Sequence, residues 1–227
     1  MYAGENNEKL AINSDRSLPY QGTPSWVSTM AVYPAGYMMD WSTKELNTNV
    51  NYVIGDNYSL LGSLCGKAFK VFACPSANFV SPVQQSAGWS ARARREDMNG
   101  GVGNGSKTSG LMGPNPVGVF AKKTSDFITP GPSDTWVFMD EHPDSIDDGM
   151  LYVYVDNNTL STGSGNYTEL PGSMHGGGCG VTFADGHSEI HKWRGSLALA
   201  NVTFTYQGFK TVSNDPDLAW LAQHTPH

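Results

Sequence analysis

The sequence predicts an α+β domain built on antiparallel β-sheet, with long loops and little helix. Three observations predict it. Glycine (26) and proline (13) are plentiful among 227 residues while only 15% are charged, a mixture that suits short strands and turns. Several runs are rich in aromatic and β-branched residues, the composition of strands. Asp185-Gly186 separates two alternating runs, the strongest short-range hairpin signal. At this length one domain, spanning 1–227, is the default, and it buries roughly 70% of the surface its unfolded chain exposes.

In chain order, residues 1–50 read as extended and looping, because "LPYQGTPSW" and "VYPAGYMMDW" break any helical period. "DNYSLLGSLCGK" (56–67) reads as a helix that Asp56 or Asn57 can cap, with Leu60, Leu61 and Leu64 on one side. "FKVFAC" (69–74) alternates like a strand and stops at Pro75. Residues 99–118 form a Gly/Ser/Asn/Pro-rich loop, of a length that compact domains keep for mobility or binding. "DTWVFMD" (134–140) and "GMLYVYVD" (149–156) read as strands on either side of an acidic turn. "GVTFADGHSEIHKW" (180–193) is the hairpin, with His187, Glu189, His191 and Trp193 sharing one face, read as polar and solvent-exposed. "VTFTYQGFKTV" (202–212) adds one or two strands, and "DPDLAWLAQHT" (215–225) ends the chain in a short amphipathic helix.

The net charge of −7 and a pI near 5.2 exclude a nucleic-acid partner, since nothing supplies a phosphate-neutralising surface. The densest basic run, Arg92, Arg94 and Arg95, reads as a solvated strand face. No segment approaches the roughly 18 apolar residues of a membrane span, and the start lacks a signal-peptide layout, so the reading expects a soluble chain. Cys65 and Cys74 could close a short disulfide loop, but three reduced thiols, with Cys179, are equally compatible.

Candidate chemistry concentrates in "MHGGGCGVTFADGHSEIHKW" (174–193) and in "MDEHPDSIDDG" (139–149). "HGGG" (175–178) resembles a hydrolase oxyanion loop, but no Gly-x-Ser-x-Gly nucleophile elbow accompanies it, so it reads as a glycine-rich turn. Gly101-Val-Gly103-Asn-Gly105 lacks the strand–helix setting of a phosphate loop. Cys179, His175, His187 and His191 fit none of the usual zinc spacings. The acidic run is different: Asp140, Glu141, His142, Asp144, Asp147 and Asp148 fall within nine residues. Crowded carboxylates repel one another, and a hard cation with oxygen ligands relieves them, calcium ahead of zinc. The competing reading is a solvated acidic turn.

His175, nine residues, then Asp185-Gly186 resembles the H-x9-DG signature of pseudopilin-like proteins abundant in Planctomycetes and Verrucomicrobia. "MYAGENNEKL", "FACPSA", "RARREDMNGGVG", "FMDEHPDSIDDG" and "NDPDLAWLAQHTP" are each similar to family stretches, so the likeness spans nearly the whole chain. The resemblance implies a pilin-type globular domain related to type II secretion major pseudopilins, at a periplasmic or cell-surface location. It also implies calcium in a C-terminal loop, with Asn214, Asp215 and Asp217 as the alternative to residues 140–148. The family's prepilin cleavage site and apolar helix have no counterpart here, so no membrane anchor is expected, and the partners are other pseudopilins in a monomer or small oligomer.

Three functional classes follow. The leading one is a non-catalytic structural or binding module, in which Asp185 accepts backbone hydrogen bonds in the turn, Gly186 takes a positive φ and His175 ties the preceding loop to the sheet. The second is a calcium-dependent hydrolase of a small ester or lactone. There Asp140, Glu141, Asp144 or Asp148 holds the metal and His142 or His175 is the general base. The third is a carbohydrate-binding module using Trp26, Trp41, Trp89 and Tyr33 as stacking platforms.

Overall fold

The computed structural model describes residues 2–13, 24–27, 39–103, 120–155 and 160–227. Strands β1 (Glu96–Asn99), β2 (Trp136–Asp140), β3 (Met150–Leu151), β6 (Gly178–Phe183) and β7 (Ser188–Lys192) make a five-stranded sheet in the order β3-β1-β2-β6-β7. A second sheet joins β4 (Val153–Tyr154), β5 (Gly165–Tyr167) and β8 (Lys210–Val212) in the order β4-β5-β8. Every pairing is antiparallel except β1 with β3. The helices are short: α1 (Tyr2–Glu5), α2 (Asn51–Ile54), α3 (Pro82–Ser86) and the eight-residue α4 (Pro216–Gln223). This is an α+β fold with little helix. Among the described residues, no helix is long and apolar enough to cross a membrane.

The large sheet separates two cores. Along β6 the alternation of the sequence becomes burial, with Cys179, Val181 and Phe183 facing inward. In β2 a register shift between Trp136 and Phe138 breaks strict alternation. Trp136 and Met139 therefore share one core with Leu151, Val181 and Leu218, while Val137 and Phe138 pack against the other, around Trp26 and Phe72. The run 149–155 serves both sheets. It pairs with β1 through Met150 and Leu151, then with β5 through Val153 and Tyr154. At the switch, the Glu169 carboxylate accepts the Tyr152 N–H at 2.8 Å, and the Thr168 N–H and hydroxyl donate to the Tyr152 carbonyl. Those bonds satisfy backbone groups that neither sheet can reach.

Several local expectations give way to tertiary contacts. Residues 56–67 form turns rather than a helix, and the helical turn comes earlier, in α2. The Ser59 hydroxyl accepts the Gly62 N–H at 2.9 Å and donates to the Trp26 carbonyl at 2.7 Å, a local alternative to helix that fastens the segment to the core. The expected strand at 69–74 is a 3₁₀ turn, Phe69–Phe72. Phe72 enters the core and its carbonyl accepts the Arg95 N–H at 3.2 Å, leaving Val71 outside. Of 202–212, only Lys210–Val212 pairs as strand. Most of the expected loop 99–118 lies outside the described residues.

The hairpin closes through a three-residue loop, with the Phe183 N–H donating to the His187 carbonyl at 2.9 Å and the Gly186 N–H to the Phe183 carbonyl at 3.0 Å. The Asp185 carboxylate accepts the His187 N–H at 3.0 Å, and Gly186 has a φ of 95°. The outer face of β7 is not uniformly solvated: Trp193 is buried and His191 stacks on Trp220 at 3.9 Å between ring centroids. A Cβ at Gly186 would meet nothing, so the cost of substitution there is backbone strain alone. Gly186→Val is expected to destabilise by about 1–3 kcal/mol in denaturant titration, and Gly186→Asn by less.

Candidate functional site

The acidic segment after β2 is not a solvated turn. Asp140, Glu141, His142, Asp144, Asp147 and Asp148 are all buried, and so is the basic run Arg92, Arg94 and Arg95 that the sequence places on a solvated face. The two misplacements have one cause, because each run is the countercharge of the other. Arg92 donates to the Pro143 carbonyl at 2.9 Å and Arg94 to the Asp147 carbonyl at 3.4 Å. Arg94 also forms an ion pair with the buried Asp97 and donates to the Glu96 carbonyl at 2.6 Å. The guanidinium planes rest on aromatic rings, Arg92 over Trp41 at 4.4 Å and Arg94 over Trp26 at 5.7 Å. Burial lowers the Arg92 pKa to about 10, with the Glu141 charge opposing, so the group stays cationic at neutral pH.

Carboxylates outnumber these cations. Burial pushes Glu141 well above the usual carboxylate range, and Asp147 adds to the shift. Glu169 is driven up in the same way by burial and then by Asp147, Asp148 and Glu141. Protons on these two carboxyls, or a bound cation, relieve the surplus.

The remaining site candidates are engaged. His142 places Nε2 3.0 Å from the Ala200 carbonyl, and its Nδ1 accepts the Asp144 N–H at 3.2 Å, which sets a neutral tautomer. Burial lowers its pKa further, and with both nitrogens occupied it is not placed as a general base. Asp144 accepts the Thr203 N–H and hydroxyl at 2.7 and 2.8 Å. In the alternative loop, Asp215 caps α4 by accepting from Asp217 and Leu218 N–H groups, both at 2.9 Å, and takes the Tyr167 hydroxyl at 2.8 Å. Asp217 accepts the N–H groups of Arg194 and Gly195, and the Asn214 N–H donates to Ser164.

His175 joins a cluster that local spacing does not reveal. Its Nε2 lies 3.2 Å from Asp140 Oδ2 and 3.2 Å from Cys74 Sγ, a residue 101 positions away. Among the described residues this is the one group of three or more His, Cys, Asp or Glu donors lying within 4.8 Å of one another. The glycines of "HGGG" serve that placement: Gly176 and Gly177 have φ of 63° and 83°, reversing the chain so that the His175 N–H reaches the Gly178 carbonyl at 2.9 Å. Cys65, Cys74 and Cys179 are free thiols, and His187 pairs with Asp185 instead of joining a metal set.

Asp140 also borders an open cleft of about 600 Å³ with apolar walls that include Phe72, Phe138, Val181 and Ile190. Glu96, opposite Asp140 in the β1–β2 register, shares that wall. For carbohydrate stacking the rings are poorly disposed. Trp26 is fully buried, Trp41 carries Arg92 over its ring and meets Phe204 edge-on, Trp89 is half-buried, and Tyr33 lies outside the described residues. No family model matches the chain, and no curated protein or solved structure matches it.

Glu96 makes the site's electrostatics measurable. Burial, then the neighbouring Asp140 charge, raises its pKa from 4.5 to about 8, with Arg94 and Arg95 opposing. The folded protein binds this proton more tightly than the unfolded chain, so the stability it contributes is full below pH 4.5 and is lost as pH rises through about 8. Chemical denaturation at steps across this window is expected to show a shallower decline in Glu96→Gln than in the parent protein. Parallel profiles would contradict the assignment.

Proposed function

We propose that the chain is the globular domain of a pseudopilin-like protein, a non-catalytic structural or binding module that associates with other pseudopilins at a periplasmic or cell-surface location. One observation carries this reading: four stretches that resemble the family, dispersed over more than a hundred residues, converge on one buried cluster. From "FACPSA" comes Cys74, whose carbonyl accepts from Arg95 at 3.1 Å. The arginine run supplies the Arg95 carbonyl, which accepts the Glu141 N–H at 2.9 Å. From the acidic stretch comes Asp140, and from H-x9-DG comes His175, 3.2 Å from it. Residues whose task is to join distant segments support a framework role for the motif. Calcium belongs to this reading as the cation for the surplus carboxylates around Glu141, Asp147, Asp148 and Glu169.

A metal-dependent hydrolase of small esters or lactones is the second reading, favoured by the cleft that Asp140 and Glu96 border. His175, one-third exposed, would be its base in place of His142.

Calcium and activity separate the two. Calcium is expected to raise the melting temperature, with stabilisation following RT ln(1 + [Ca²⁺]/Kd), about 2.7 kcal/mol at a hundredfold excess. Asp148→Asn should blunt the response, and a panel of small esters and lactones should show no turnover. Turnover that requires a divalent metal and disappears in His175→Ala would replace the structural reading with the hydrolase. A melting temperature insensitive to calcium and EDTA would remove calcium from it.

A further inference from the structure

The Cys74, Asp140 and His175 cluster has a geometry that hydrogen bonding alone explains poorly. Both close contacts of the imidazole are made by the same nitrogen, Nε2, to the thiol sulfur and to Asp140 Oδ2, each at 3.2 Å. A nucleophilic Cys–His–Asp arrangement uses the two ring nitrogens separately, one toward the thiol and one toward the carboxylate. Here one nitrogen contacts both other donors, and the three donor atoms lie within 4.8 Å of one another. One Nε2–H can be directed well at only one of the two neighbours, whereas a cation between the three atoms satisfies all of them at once.

We propose that Cys74 Sγ, Asp140 Oδ2 and His175 Nε2 form a three-ligand site for a borderline divalent cation, zinc foremost, with a fourth position left to solvent. The distances suit it. Tetrahedral zinc with ordinary Zn–S, Zn–N and Zn–O bonds separates sulfur from nitrogen by about 3.6 Å and nitrogen from oxygen by about 3.3 Å. The observed 3.2 Å separations need an opening of a few tenths of an ångström at most. The donor set selects the metal: thiolate and imidazole suit zinc and disfavour calcium, which takes oxygen ligands. This cation is therefore distinct from the calcium proposed near Glu141, and neither inference rests on the other.

The surroundings orient each ligand. Ser76 Oγ lies 2.9 Å from Cys74 Sγ, and the Gly180 N–H donates to Asp140 Oδ2 at 3.1 Å. Arg95 donates to the Cys74 carbonyl at 3.1 Å, fixing the backbone that carries the thiol. Glu96 faces Asp140 across the strand pair. Asp140 and Cys74 are buried while the His175 side chain is 33% exposed, which gives the site an approach from water. Binding displaces the Cys74 thiol proton to solvent, and the imidazole coordinates as the neutral Nδ1–H tautomer. Apparent affinity therefore rises with pH, because the metal competes with protons for its ligands.

Cobalt(II) reports this site directly. Protein stripped with a chelator under reducing conditions and titrated with cobalt should take up one equivalent. It should develop a thiolate-to-cobalt charge-transfer band in the near ultraviolet and strong tetrahedral d–d bands, all discharged by zinc and unaffected by excess calcium. Cys74→Ser should abolish the charge-transfer band and Cys179→Ser should retain it. Ser76→Ala should weaken binding by about 10–100-fold, as loss of an outer partner does. Absence of a charge-transfer band in the parent protein would overturn the proposal whether or not the variants fold. So would a band that survives Cys74→Ser.

Discussion

The structure depends on holding two guanidinium groups inside a loop of carboxylates. Arg92 and Arg94 are almost fully buried, and the segment from Asp140 to Asp148 wraps them with carbonyl oxygens from Pro143 and Asp147. A charge removed from water is costly unless it is paired and hydrogen-bonded, so this arrangement is stable only when both runs are in place. That requirement fixes where the chain goes after β2. It cannot leave toward solvent and must double back beneath β1, which delivers Met150 and Leu151 to the edge of the sheet as β3. Among the described residues, the one parallel pairing between named strands, β1 with β3, follows from that return.

The hairpin of β6 and β7 is locked to the same centre from the other side. Gly180 in β6 donates to Asp140, and the reversal at Gly176–Gly177 brings His175 to the same carboxylate. Asp140 therefore stands at a junction of the β2 end, the hairpin and the turn carrying Cys74. That junction ties three distant segments of the chain together. The adjacent cleft and the exposed edge of His175 give it contact with solvent, while His142 is sealed behind it.

What the sequence discloses here is what short range decides. Asp185-Gly186 is legible because the turn needs a positive φ and an Asx acceptor within three residues. Asp215 announces α4 because a cap acts on the next two residues along with Pro216. Arg92 and Arg94 are misread as solvated because charge runs usually are, and their partners lie 51 and 53 residues away. The carboxylates of 140–148 are legible as a cluster in need of relief, but not as one relieved from within the chain. Cys74 escapes notice because metal motifs are read from local spacing, whereas the fold joins it to His175 across 101 residues. "FKVFAC" alternates as a strand does, yet it folds as a 3₁₀ turn that puts Phe72 in the core and presents the Phe72 and Cys74 carbonyls to Arg95, contacts that local alternation does not disclose.

The fold turns on the mutual neutralisation of buried charge, and a double-mutant cycle on Arg94 and Asp97, an ion pair in which both side chains are buried, measures it. Arg94→Met and Asp97→Leu are each expected to cost about 3–5 kcal/mol, since each leaves one charge buried without its partner. Combined, they should recover most of that loss, giving a coupling energy well beyond the scatter of independent sites. Additive losses in the double variant would contradict the claim that the fold is organised around this pairing.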